Sequence, residues 1–367
     1  MKITAAVTRS TGGPFELEDL EIAEPNAGEI RVRIVATGIC LSDIGARDGH
    51  VPIPHPIVLG HEGAGVVEAL GPGVEGLAVG DHVLLNRATC GDCEWCDAGQ
   101  SGLCSRTDRL ILGGVRADGT SGLARDGETV YGQFFGQSSF ATHALTRARN
   151  ATRLDPDLDL ALAPAFGCGV LTGAGTVLTN MRPAPGDSIA VFGVGGVGIA
   201  ALMAARAAGC STIIAVDRHR SRLDLAEELG ATHTLEPGDE PVERAVRGIV
   251  RGGVKFSVEA TGVPAVVRAA VESLRRGGEC ALLGVGPATQ EITFNQMRIA
   301  LQGLTVRGCP TGLSEPNLLV PRLIGLFRDG RFPIDKIVTR FAFDDIDRAV
   351  DAAVGGTAIK PILVHGR

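Results

Sequence analysis

Short apolar runs alternate with amphipathic stretches from about residue 186 to about residue 285, and this alternation restricts the fold more than any other feature of the chain. Ser188-Ile-Ala-Val-Phe-Gly193 reads as a buried strand, IAALMAARAAG as an Ala-rich helix and STIIAVD as a second strand. The series continues with a helix at SRLDLAEELGA, a strand at KFSVEA, a helix at PAVVRAAVESLRR and a strand at ECALLGV. Strands that alternate with helices predict an α/β region with a parallel sheet covered on both faces.

Between the first strand and its helix lies Gly193-Val-Gly195-Gly196-Val197-Gly198. Glycines there permit a tight turn and let backbone N–H groups reach a pyrophosphate at the helix N-terminus. Asp217 closes the second strand about twenty residues on, where a dinucleotide-binding motif expects an acidic residue. Its carboxylate would accept ribose hydroxyls and repel a 2′-phosphate, which favours NAD over NADP; Arg218 next to it works the other way. An α/β turn with no nucleotide is the alternative.

At 367 residues the chain is too long for one ordinary core and suits two domains. The first 165 or so residues carry short β-like runs broken by Gly and Pro, among them EIRVRIVATGI (29–39), GAGVVEAL (63–70) and DHVLLN (81–86). They predict an irregular β-barrel-like domain. The polar stretch from about 104 to 133, with DGTSG and RDG turns, is expected to be a surface excursion outside the core. After about residue 310 a helix at LLVPRLIGLFRDG and a short strand at KPILVH close the chain. The net charge of −7, with no basic stripe, argues against nucleic acid, and no apolar run reaches the roughly 20 residues that span a bilayer. The chain turns acidic at once after MKITAAVTRSTGGPFELEDL begins, which speaks against a signal peptide. Nine cysteines in an unsecreted chain point to metal or catalysis before disulfides, and the expected location is the cytoplasm.

The cysteines fall into two sets. Cys90, Cys93, Cys96 and Cys104 follow one another at spacings of three, three and eight. Such thiols converge on one metal from a single loop, and a closed tetrahedral set leaves no place for substrate, so structural zinc is expected. An iron–sulfur cluster and a group of reduced thiols are the alternatives. The second set is dispersed: Cys40 in GICLSD (38–43), His61 in GHEG (60–63) and Cys168 in FGCG (166–169). Two thiolates and an imidazole make a three-ligand zinc site with an open fourth position, as catalysis requires. Cys210, Cys280 and Cys309 remain, and buried packing is the default for them.

With GHEGAGVVEALGPGV (60–74), CGDCEWCDAGQSGLC (90–104), FGCGVLTGAG (166–175) and VFGVGGVG (191–198), the chain resembles the zinc-dependent alcohol dehydrogenases of the medium-chain dehydrogenase/reductase superfamily over nearly its whole length. Together with DGTSG and FFGQSSFA, the segment FGCGVLTGAG resembles the aryl-alcohol and thiol-adduct formaldehyde branches. The resemblance implies a GroES-like irregular β-barrel catalytic domain over 1–169 and 311–367, and a doubly wound Rossmann domain over 170–310. It implies two zinc ions per chain, a catalytic one on Cys40, His61 and Cys168 and a structural one on Cys90, Cys93, Cys96 and Cys104. It further implies that Asp43 orients the imidazole, that Glu62 assists ligand exchange and that Ser42 relays the alcohol proton. Val197 and Thr172 correspond to residues against the nicotinamide, and Arg222 to a basic residue near the adenosine ribose. Relatives of this kind pair along the edge of the dinucleotide-domain sheet, which implies a homodimer, with a tetramer as the alternative.

Two positions depart from the pattern. Many relatives carry a basic residue where this chain has Leu41, and a proton-relaying His where it has Gly45. His50 is near in sequence, but spacing alone does not bring it to the relay, and a solvated loop histidine is expected. The implied reaction transfers a hydride between NAD and an alcohol/aldehyde pair, with an aromatic or allylic primary alcohol as the expected substrate. Asn86, Phe140 and Leu112 are candidates for the pocket wall. The rivals are a formaldehyde–thiol adduct, for which Arg106, Arg109 and Arg116 would form a basic mouth, a nicotinoprotein that keeps its NAD, and a non-enzymatic nucleotide sensor.

Overall fold

Ile189, Ala190, Val191 and Phe192 are all fully buried in the strand Ser188–Phe192 of the computed structural model, which describes residues 1–287 and 289–366. Ile213–Val216 in the neighbouring strand Thr212–Val216 are buried in the same way. A run without polar alternation is what a parallel strand covered on both faces needs. These two strands join His233–Leu235, Val254–Glu259, Leu274–Leu282 and Thr305–Gly308 in a six-stranded parallel sheet. In sequence order the strands lie 3-2-1-4-5-6, so the direction of crossover reverses beside the first strand, and ligands bind such sheets at the carboxyl ends there. The fifth strand starts at Leu274, five residues before the apolar run ECALLGV, and its register with Val254–Glu259 slips between Val254 and Phe256. Arg275, Arg276 and Gly277 conceal that start because they are exposed.

The chain divides into two compact units, one of residues 1–168, 315–321 and 334–367 and the other of 169–314 and 322–333. The first unit holds a five-stranded and a seven-stranded sheet. In the larger one Glu29–Gly38 is central, pairing antiparallel with Gly63–Leu70, His143–Arg147 and Lys360–Val364. Phe134, Phe140, Leu20, Ile57 and Leu59 are fully buried in this unit's main apolar cluster.

The stretch 104–133 is not merely a surface excursion. Leu123–Arg125 and Glu128–Val130 form a hairpin that extends the five-stranded sheet, Val130 is fully buried, and Leu123 and Tyr131 pack on the main cluster. The polar residues that suggest a loop are paired instead: Arg116 lies 3.1 Å from Glu29, both buried, and Arg125 lies 2.6 Å from Glu18. No helix among the described residues is long and apolar enough to cross a membrane.

Candidate functional site

The first helix, α1 (Leu41–Arg47), begins at Cys40, whose backbone is extended. Asp43 at the third helical position accepts the Cys40 N–H through Oδ2 at 2.9 Å, which satisfies an orphan donor of the helix start. Its other oxygen accepts the Gly60 N–H at 3.1 Å and meets His61 Nδ1 at 2.8 Å. One fully buried carboxylate therefore sets both the helix that carries Cys40 and the plane of the His61 ring. Gly60 is obligatory: its φ is +88°, and a Cβ there would fall 2.5 Å from Phe140.

Ligand atoms of Cys40, His61, Glu62 and Cys168 all lie within 4.8 Å of one another. His61 Nε2 is buried and has no hydrogen-bond partner. A desolvated imidazole nitrogen left open among two sulfurs is costly unless something fills the gap, and a soft, borderline cation fits that donor set. A hydrogen bond from Cys168, aided by His61, holds the Cys40 thiol well below its ordinary range. Cys168 is pushed well above it by the same bond and by burial. Ser42 is exposed, with Oγ 3.6 Å from Cys40 Sγ.

Three residues around this cluster escape a sequence reading. Lys360, from the strand Lys360–Val364, binds Glu62 Oε2, and both are buried. Burial pushes the Glu62 carboxyl up while Lys360 draws it back. Gln137 accepts the Gly63 N–H at 3.0 Å and donates to the His61 carbonyl at 2.9 Å. Phe135, with φ +51°, stacks on the His61 ring at 4.3 Å. The segment FFGQSSFA carries two of these three, and its unusual backbone has no local signature in the residue types.

The four-cysteine loop converges as its spacing predicts, with all four sulfurs within 4.8 Å. Backbone N–H groups of Ser105 and Cys96 donate to Cys93 and bring its thiol down to about 5, while burial pushes Cys90 up to about 12. The Cys90 N–H points at Cys104 Sγ, 3.3 Å away. Amides aimed at sulfur favour thiolates, so the loop fits a metal that binds them. Arg149 holds the carbonyls of Cys90 and Gly91, and a Cβ at Gly91 would overlap its guanidinium.

In the second unit, Gly193 has φ +84°, and a Cβ on Gly198 would fall 1.9 Å from the Gly193 carbonyl oxygen. Gly195 caps the helix Gly196–Ala207 and faces open space. Asp217 is buried at the end of its strand, accepting Val194 N–H at 2.8 Å and His219 N–H at 2.9 Å, with Arg222 at 3.9 Å. Thr172 lies on the helix Cys168–Gly175, which crosses the Gly196–Ala207 helix so closely that a Cβ on Gly173 would meet the Val197 carbonyl at 2.0 Å.

Other candidates are held in the core or in ion pairs. Phe140 is fully buried core, edge-on to Phe15 at 5.7 Å, so it lines no pocket. Asn86 is buried against Thr152 at 2.9 Å, and Leu112 packs on the main core. Arg106 pairs with Asp92 at 3.0 Å and Arg116 with Glu29, so neither belongs to a free basic mouth. Cys280 and Cys309 are buried, and burial raises the Cys280 thiol to about 12 and that of half-buried Cys210 to about 11.

Two family models match the chain: an alcohol dehydrogenase GroES-like domain over residues 26–156 and a zinc-binding dehydrogenase over residues 196–323. The chain is 40% identical to a geraniol dehydrogenase of Castellaniella defragrans over 98% of its own length and 97% of the relative's. An alcohol dehydrogenase zinc-binding domain protein from Burkholderia ambifaria superposes with a TM-score of 0.98 at 43% identity, over 100% of both chains. A benzyl alcohol dehydrogenase from Acinetobacter calcoaceticus gives 0.96 at 38%, again over 100% of both. The fold and the sites thus define a two-unit oxidoreductase with a GroES-like and a Rossmann-like part. The chain belongs to the zinc-dependent alcohol dehydrogenases of the medium-chain dehydrogenase/reductase superfamily.

Proposed function

We propose that this enzyme oxidises an allylic or aromatic primary alcohol to its aldehyde, with NAD as the hydride acceptor. The observation that carries the reading is the open, buried Nε2 of His61 between the thiols of Cys40 and Cys168. Those three residues would hold one zinc and Cys90, Cys93, Cys96 and Cys104 a second. When bound, the first zinc would supply Lewis acidity toward the alcohol oxygen. Asp43 fixes the His61 tautomer through Nδ1 and so leaves Nε2 as the donor nitrogen. Ser42 takes up the alcohol proton, and Glu62, held by Lys360, assists exchange of ligands. The Gly193–Gly198 turn receives the cofactor pyrophosphate, and Asp217 takes the ribose hydroxyls and disfavours a 2′-phosphate; Val197 and Thr172 lie toward the nicotinamide and Arg222 toward the ribose.

Support for the substrate class comes from the geraniol and benzyl alcohol dehydrogenases among the similar proteins. The pairing of Arg106 with Asp92 and of Arg116 with Glu29 draws two of the three arginines away from the basic mouth that a thiol adduct would need. The enzyme would work in the cytoplasm as a homodimer. Its interface would run along the edge strand Thr305–Gly308 and the adjacent helix Gln296–Gln302, whose Met297 and Leu301 are each 67% exposed and one turn apart.

The test is NADH formation by dialysed, zinc-containing protein with allylic, benzylic and aliphatic alcohols, and with formaldehyde in the presence and absence of a small thiol. Turnover of the first two classes with added NAD is expected. Thiol-dependent formaldehyde oxidation alone, or turnover only with NAD that survives dialysis, would overturn the assignment.

A further inference from the structure

Six acidic side chains are buried among the described residues, and five of them face a basic group. Glu18 meets Arg9 and Arg125, Glu29 meets Arg116, Asp43 meets His61, Glu62 meets Lys360, and Asp217 has Arg222 at 3.9 Å. Glu259 is the exception. It is fully buried at the end of the strand Val254–Glu259, and no lysine, arginine or histidine among the described residues pairs with it. Its Oε1 accepts the Thr261 N–H at 2.7 Å and the Thr261 hydroxyl, and both its oxygens share the Gly262 N–H at 3.1 Å. Donors alone face it, which suits a carboxylate. The start of the helix Pro264–Glu272 adds partial positive charge. A whole counter-charge is missing, and a buried anion without one is costly.

Glu259 stands where the direction of crossover in the parallel sheet reverses. Phe192 pairs with Val216 on one side and with Glu259 on the other, so Asp217 and Glu259 flank the Gly193 turn from the two neighbouring strands. A dinucleotide lies across such a crevice, one mononucleotide to each side. With the adenosine ribose on Asp217, the Glu259 side is left to the nicotinamide half. Glu259 also anchors the loops on that side. Its carbonyl accepts the Leu283 and Gly284 N–H groups at 2.8 and 3.0 Å, and a Cβ on Gly284 would fall 2.0 Å from the Gly262 nitrogen. We propose that the Glu259 carboxylate selects the oxidised cofactor, by supplying a buried negative charge on the side of the crevice that takes the nicotinamide. The inference rests on the NAD reading above. The nicotinamide ring is cationic in NAD and neutral in NADH. As the alcohol carbon gives up its hydride, the electron pair cancels the ring's charge and the alcohol proton goes to solvent. Attraction to Glu259 is lost in that step, which favours release of NADH, and product release often limits turnover.

The experiment measures the dissociation constants of NAD, NADH and ADP-ribose by calorimetry for zinc-loaded wild type, Glu259→Gln and Glu259→Asp, each checked by thermal melting. Glu259→Gln keeps the size and removes the charge. NAD should then bind about tenfold more weakly, while NADH and ADP-ribose, which lack the ring charge, should change by less than about twofold. Glu259→Asp keeps the charge and should keep the wild-type ratio of NAD to NADH affinity. Wild type gives a second reading that needs no variant: NAD should bind about tenfold tighter than benzamide adenine dinucleotide, whose ring has the same shape and no charge. A Glu259→Gln protein in which NAD, NADH and ADP-ribose all weaken by one factor would overturn the selection and leave the cofactor site standing. So would a wild type that binds the uncharged isostere as tightly as NAD. A wild type that binds neither NAD nor NADH would overturn the NAD reading as well.

Discussion

Single residues in this protein serve chemistry and folding with the same atoms. Asp43 closes a helix start and orients an imidazole, and Lys360 neutralises a carboxylate that would otherwise be stranded without water. The proposed ligands Cys40, His61 and Cys168 are legible because their residue types and flanking glycines stand out against apolar surroundings. Lys360 is not, since nothing in KPILVH announces a partner 298 residues away. His365 in the same region gives a prediction about pH. It is stacked on Phe343 at 4.1 Å, and burial lowers its ring from 6.5 to about 4. The folded ring stays neutral in that window while the unfolded one takes a proton. Stability should therefore fall as pH drops from about 6.5 to about 4, by up to about 3 kcal/mol. Urea unfolding of wild type and His365→Phe across this range checks it: the variant should lose most of the slope, and equal slopes would refute the assignment.

Among the elements, the dinucleotide turn separates two uses of glycine that look alike in sequence. Gly198 is required by packing, since its Cβ would collide with the Gly193 carbonyl, whereas Gly195 faces open space at a helix N-terminus. Gly198→Ala should lower the melting temperature and abolish NADH binding together. Gly195→Ala should melt as wild type yet weaken NADH binding at least tenfold, because a methyl group there keeps the pyrophosphate from the backbone. Fluorescence titration with NADH alongside calorimetry distinguishes them, and normal binding by Gly195→Ala would remove that glycine from the cofactor site. The alternating strands and helices around this turn are legible from periodicity alone. The hairpin of Leu123–Val130 is not, because its strands are three residues each and their polar side chains find partners only in the tertiary structure.

For the whole molecule, the assembly proposed above has a direct check. Met297→Glu with Leu301→Glu should convert the protein to monomers in sedimentation velocity, because two carboxylates on the apolar face of Gln296–Gln302 would oppose association. A double variant that remains dimeric would place the interface elsewhere. The division of the chain has a further consequence, for synthesis. The dinucleotide unit is drawn mainly from one continuous stretch, 169–314, whereas the other unit needs the strand Lys360–Val364 to pair with Glu29–Gly38 and to bring Lys360 to Glu62. A ribosome therefore finishes the second unit while the first still lacks a strand and the counter-charge of Glu62 in its proposed metal site. The half that begins translation is the half that matures last, and until then its thiols and its unpaired sheet edge stand open to oxidation and to mispairing.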